Sequence, residues 1–132
     1  MSIETALATE IKSIPAVVTL AADRVWPVAA PQTSAQPFVT YRRVPGEVMY
    51  THEGESKIQK AFFQIAAVAD KYEVVIELAA VIRSGLSGKR SLGDGSVNLN
   101  GIFFKDPEDA WNQETGLFVR TQECTITYRK GD

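Results

Sequence analysis

The sequence predicts an α+β domain: a mixed, mainly antiparallel β-sheet flanked by two α-helices and carrying a long β-hairpin arm. Three observations lead there. Two segments, near residues 3–13 and 70–86, repeat apolar side chains at helical spacing, whereas residues 57–69 alternate at strand spacing. Shorter β-prone runs lie on either side of that long strand, separated by turn residues. The predicted order is helix, edge strand, two paired strands, helix, two paired strands. With 132 residues and 45% apolar composition, the chain falls in the range of one domain, 1–132.

In the first helix Ile3, Leu7, Ile11 and Ile14 share a face, Ser2 can cap, and Glu4 sits where the helix dipole favours an acid. Pro15 then opens a short second turn, with Val17, Val18 and Leu20 expected to pack inward and Asp23 to close the segment. "RVWPV" is β-prone, but Pro27 has no amide donor, which makes it an edge strand. Pro31 and Pro37 are expected to hold an extended loop that delivers Phe38–Val44 as a strand, ended by Pro45-Gly46.

Residues 46–56, "GEVMYTHEGES", lack periodicity and read as the hairpin arm. The strand 57–69 follows, antiparallel to 38–44, with Ala61, Phe63, Ile65 and Ala67 on its more apolar face. Asp70 and Glu73 have the spacing of a capping box, and Val75, Leu78, Ile82 and Leu86 continue along one helical face. Gly85 or Gly88 offers the left-handed stop. After the turn-rich stretch "GKRSLGDGSVNLNG" come two strands, "GIFFKD" and "GLFVRTQECTITYR", joined through "PEDAWNQET", where Gly116 supplies the positive φ of a tight return.

Charge gives no footprint of nucleic acid or membrane. Fourteen basic and sixteen acidic residues are interspersed, for a net charge of −2. The amino terminus has neither the basic start nor the apolar stretch of a secretory signal, and no run is long enough to span a bilayer. The expectation is a soluble chain, cytoplasmic when synthesised. One cysteine, Cys124, excludes an internal disulfide and reads as a small apolar residue within a strand.

The search for chemistry finds no catalytic, metal or cofactor set. His52 is the only histidine and lies in the arm, where it reads as an exposed loop residue. "GLSGKRS" fails as a phosphate loop, because the first glycine of that motif falls on Arg83, Arg90 follows Lys89, and the segment succeeds a helix. Asp106, Glu108, Asp109 and Glu114 lack calcium-loop spacing and read as a solvated turn around Pro107. Trp26, Tyr41, Tyr50 and Trp111 read as core or interface aromatics rather than a ligand platform. Arg42, Arg43, Lys57 and Lys60 flank the arm, whose Glu47, Glu53 and Glu55 largely cancel them, so intersubunit ion pairs suit this strip better than nucleic acid. The candidate contact residues are Arg42, Arg43, Glu47, Val48, Met49, Tyr50, Glu53, Glu55 and Lys57, with Val48-Met49-Tyr50 as an apolar trio that has no core of its own to enter.

"SIETALATEIKS", "DRVWPVAAPQ", "QPFVTYRRV", "ADKYEVVIELAAVIRSGLSG" and "DAWNQETGLFVRTQECTITY", in that order over nearly the whole chain, resemble the tail completion proteins of long-tailed bacteriophages and prophages, also called tail-to-head joining or tail terminator proteins. Pro31, Pro37, Tyr41, Thr115, Gly116 and Leu117 carry the resemblance most. It implies an α+β domain that assembles as a sixfold ring on the head-proximal end of a tail, stops tail-tube polymerisation and meets the head connector. It implies no enzyme, no cofactor and no direct nucleic-acid or membrane partner. Localisation follows as the host cytoplasm during assembly and the tail or neck in the virion. Two alternatives remain open from the residues alone. One is a small-molecule-binding or enzymatic domain with Arg90, Asp94 and His52 around a pocket under residues 89–100; the other is a different ring-forming tail-tube component.

Overall fold

The computed structural model describes residues 2–32, 34–45, 50–51, 54–55, 58–92 and 97–129. Helix α1 (Ile3–Ser13) starts as its sequence suggests, with the Ser2 hydroxyl accepting from the Thr5 amide at 3.1 Å. Ile3, Leu7 and Ile11 are buried along one face. The turn at Pro15 is a third helix, α2 (Pro15–Ala21), with proline at its first position. Val17 and Ala21, one turn apart, are its buried residues, while Leu20 is partly buried. Val18, expected inside, is 50% exposed, because it lies about 100° around the helix from Val17.

Strand β1 (Val25–Pro27) runs parallel to β2 (Phe38–Val44) at the sheet edge. The loop between them is not simply extended. Pro31 starts a turn closed by the Ser34 amide at 2.9 Å, and the Gln36–Pro37 peptide is cis. Two side-chain donors draw this loop back onto β1: Arg24 Nε donates to the Pro37 carbonyl at 2.8 Å, and the Trp26 indole donates to Ser34 Oγ at 3.1 Å.

Within the arm, β3 (Tyr50–Thr51) pairs antiparallel with β4 (Gly54–Glu55), as a hairpin requires. Glu47, Val48, Met49, His52, Glu53 and Lys57 lie outside the described residues. Strand β5 (Ile58–Ala69) then pairs antiparallel with β2 on one side and with β9 (Leu117–Arg129) on the other. Beyond β9, its second half pairs with β7 (Val97–Phe104) and its first half with β8 (Glu108–Asn112); β6 (Ser91–Leu92) closes the edge against β7. The strand order is β1-β2-β5-β9-β7-β6, with β8 also on β9. The final strand pair therefore begins earlier than "GIFFKD", and "PEDAWNQET" is mostly strand rather than turn. Strand β8 has little β-propensity of its own; pairing along β9 imposes its conformation.

One sheet face is covered. Ala61, Phe63, Ile65 and Ala67 of β5 and Cys124 and Ile126 of β9 meet α3 (Tyr72–Leu86), whose Val75, Leu78, Ile82 and Leu86 are fully buried. Gln122 is the polar residue in this layer, and its amide donates to the Ala79 carbonyl at 2.9 Å, so no unpaired polar atom is buried there. Asp70 does not cap α3. The strand stays extended to Ala69, the cap position falls on Lys71, and no side chain caps it. The left-handed residue after α3 is Gly88, at φ 78°. Among the described residues no helix is long and apolar enough to cross a membrane.

Gly85 has a different role from Gly88. It lies inside α3 where Ile14 packs against the helix, and a Cβ there would stand 2.6 Å from Ile14 Cδ1. Alanine at this position gains about 1 kcal/mol of helix propensity. Overpacking, typically about 1–3 kcal/mol, should exceed that gain. Denaturant unfolding should therefore show Gly85→Ala destabilising the wild type by about 1 kcal/mol and stabilising the Ile14→Ala background. The same sign in both backgrounds would contradict this packing.

Candidate functional site

The sheet leaves its second face without helices, and three features stand on the exposed surface. The first crosses the middle of that face. In β2, β5 and β9 the register places Arg42, Gln64 and Glu123 side by side. Arg42 Nε donates to Gln64 Oε1 at 2.9 Å, Gln64 Nε2 donates to Glu123 Oε1 at 3.3 Å, and Lys105 Nζ lies 3.3 Å from Glu123 Oε2. Bonds from Gln64 and Lys105 hold the Glu123 carboxyl below its ordinary pKa. This polar row is bordered by a concavity lined by Val44, Phe62 and Thr125.

The second feature is the β8–β9 hairpin, built around one turn. Asn112 Oδ1 accepts from the Glu114 and Thr115 amides, the Asn112 carbonyl accepts from Gly116 at 2.7 Å, and Gly116 takes φ 71° as its sequence position requires. Counting back from this turn places Asp109 opposite Arg120 and Trp111 opposite Phe118. Arg120 grips Asp109 with two bonds, 2.7 Å from Nε and 2.9 Å from Nη2, and the Tyr72 hydroxyl donates to the same carboxylate. Those bonds, led by Arg120, depress the Asp109 pKa and raise that of Arg120. Phe118 joins Tyr72 at a ring separation of 5.4 Å and Trp111 at 6.2 Å, and Trp111 is 55% exposed.

The third feature is the β1 edge, where Val28 leaves the strand at φ 65° with its amide held by the Tyr41 carbonyl at 2.8 Å. A β-branched residue in this conformation is strained, and Val28 is 70% exposed.

The contact residues read from sequence fall on and around the arm. Arg42 belongs to the polar row. Arg43, on the helix-covered face, already has a partner within the chain, Glu4 of α1 at 2.8 Å, and this bond lowers the Glu4 pKa and raises that of Arg43. Tyr50 and Glu55 face each other in the β3–β4 ladder. Cys124 is buried, which pushes its thiol up to about 12 and fits the structural role expected of it. Of the alternative pocket, Arg90 borders a depression with Lys89, Leu99 and Phe103, while Asp94 and His52 lie outside the described residues. The acidic run 106–114 does not converge on a cation: Asp109 is paired with Arg120, and among the described residues no three His, Cys, Asp or Glu side chains gather. The Asp109–Arg120 pair was missed in sequence. Its signal was the Asn112–Gly116 turn, which fixes the hairpin register once β8 is recognised as a strand.

Comparison with known proteins adds the decisive observation. The family model described as "Tail completion protein gp17" matches residues 5–129. The chain belongs to the tail completion protein family. It is therefore a structural tail protein by family, in agreement with the resemblance of its helices and closing strands. Among solved structures, a chain of "Virion of native gene transfer agent (GTA) particle" shares the fold at a TM-score of 0.76 and 15% identity, covering 97% of this chain and 95% of that one. A second solved structure superposes at a TM-score of 0.60 and 11% identity, covering 99% of both chains. The comparison with curated proteins finds no match.

The hairpin pair makes a pH prediction. Asp109 has a folded pKa below its unfolded value, so its contribution is complete above the unfolded value of 3.8 and fades as pH falls through the lower folded value. Asp109→Asn should destabilise by about 0.5–1 kcal/mol at neutral pH, the scale of a partly exposed ion pair. Chemical unfolding of both proteins should show this difference shrinking as pH drops below that unfolded value. A difference that is flat with pH, or that grows in acid, would contradict the pairing.

Proposed function

We propose that the chain forms a closed ring at the head-proximal end of a phage-type tail, where it ends tail-tube polymerisation and joins the tail to the head connector. The observation that carries this reading is the match to the tail completion family over residues 5–129. The likeness of fold to a chain of a gene transfer agent virion supports it, since nearly the whole chain is shared. In this reading the chain works as one domain, without catalysis or cofactor, in the cytoplasm during assembly and in the tail or neck afterwards.

The arm fits such a ring. It leaves the sheet between Val44 and Ile58 and carries few groups that could join the core. Glu47, Val48, Met49, Tyr50, Glu53, Glu55 and Lys57 would reach a neighbouring subunit in this reading, with Arg42 and Arg43 at the arm's base. The loop from Pro31 to Pro37, tied back by Arg24 at the Pro37 carbonyl and by Trp26 at Ser34, would keep the β1 rim stiff.

Particle-producing cells that lack the chain should accumulate filled heads and separate tails, with overlong or ragged tubes, and expression of the chain should restore joined particles. Electron microscopy of lysates reads both. Normal joined particles in its absence would overturn the proposal. Tails missing altogether would favour a tube subunit instead.

A further inference from the structure

We infer that the ring contact is head-to-tail between the two opposite edges of the sheet, the β1 edge of one copy receiving the β8 edge of the next. The inference rests on the ring reading above and names its surfaces.

Five large apolar side chains are markedly exposed among the described residues: Val18, Val28, Tyr72, Phe103 and Trp111. Val28 and Trp111 mark opposite ends of the strand order. Val28 follows β1, and Val18 stands on α2, which leads into β1. Trp111 lies on β8, beyond β9, opposite Phe118 on the helix-covered face, and Tyr72 joins it there through Phe118, whereas Phe103 of β7 pairs with Thr125 on the open face. Between the two groups lie β2, β5 and β9, so they are separated by about 19 Å, four interstrand steps of roughly 4.8 Å.

The edges are also unlike in charge. Beside β1 are Arg24 and, at the end of β2 beyond it, Arg42, against Asp23, while Arg43 is already paired with Glu4. Around β8 are Asp106, Glu108, Asp109 and Glu114 against Lys105 and Arg120. A two-fold contact would set like against like at either edge, whereas a head-to-tail contact brings the arginine-rich edge to the acidic one and covers both apolar groups. The occupant that fits each edge is therefore a second copy of this chain.

Side chains, not added backbone pairing, make this contact. Strand β1 is three residues long and Pro27 has no amide to donate, which blocks it as a template for another strand. What the edge offers instead is Val28, an apolar residue held out in a strained conformation by the Tyr41 carbonyl. Trp111, backed by Phe118, is the matching aromatic anchor.

The test uses cysteines, because native Cys124 is only 2% exposed. Particles assembled with the double variant Val28→Cys plus Trp111→Cys are treated with a short bismaleimide and resolved by denaturing electrophoresis. A ladder of multimers ending in one closed species is expected, while each single variant remains monomeric. A dimer from either single variant alone, or no ladder from particles that contain the double variant, overturns the inference and leaves the ring itself standing. Wild-type chain that never enters particles overturns the ring reading and the contact together. If the two cysteines prevent incorporation, Val28→Asp and Trp111→Asp decide: each, folded by circular dichroism, should be lost from particles, and normal incorporation of either overturns the contact.

Discussion

The pairing of β5 with β9 is the constraint on which the rest of the structure depends. Every residue of β5, twelve in all, has a partner on β9, from Ile58 opposite Arg129 to Ala69 opposite Phe118, without a shift. Side chains alternate along a strand, so a slip of β5 by one residue would turn Phe63 and Ile65 outward and bring Phe62 and Gln64 under the helices. With the register held, α3 has an apolar floor for Val75, Leu78, Ile82 and Leu86, and α1 and α2 close the remaining side. Gln122 shows how tightly the layers are matched, since its amide reaches a helix carbonyl across the core.

The same ladder decides what faces outward. It brings Gln64 beside Glu123, which allows the polar row from Arg42 to Lys105 to cross four neighbouring segments. It also leaves β1 and β8 as opposite rims of one platform. In the proposed ring this arrangement would supply one frame and two rims that differ enough to fit one another. Asp109 and Arg120, which in another setting would suggest a site, hold a hairpin to the start of α3 through Tyr72.

Much of the frame was legible in the sequence because its signals are local. Val75, Leu78, Ile82 and Leu86 of α3 recur at helical spacing, β5 alternates cleanly from Ala61 to Ala67, and Gly116 announces its own turn. What sequence missed depends on partners far along the chain. "EDAWN" has the composition of a loop and becomes a strand because β9 pairs with it; Arg43, expected at a subunit contact, is met by Glu4 thirty-nine positions away. Pro31 and Pro37 suggested an extended loop, but not the turn that Arg24 and Trp26 anchor. Of the candidate contact residues, those on the arm are legible from composition and Trp111 as an aromatic of core or interface, whereas Val28 is not, since neither exposure nor a positive φ is written in residue type.

The most direct test of a rigid sheet joined through unlike rims is amide hydrogen exchange, measured along the chain in the free subunit and again in assembled particles. In the free subunit, the amides shared by β5 and β9 should exchange slowest, through global unfolding, and those of β1 and β8 much faster through local opening. On assembly, protection should rise at both rims, around Val25–Val28 and Glu108–Asn112, with the central ladder unchanged. Protection gained at one rim alone, or confined to the outer surface of the helices, would contradict it.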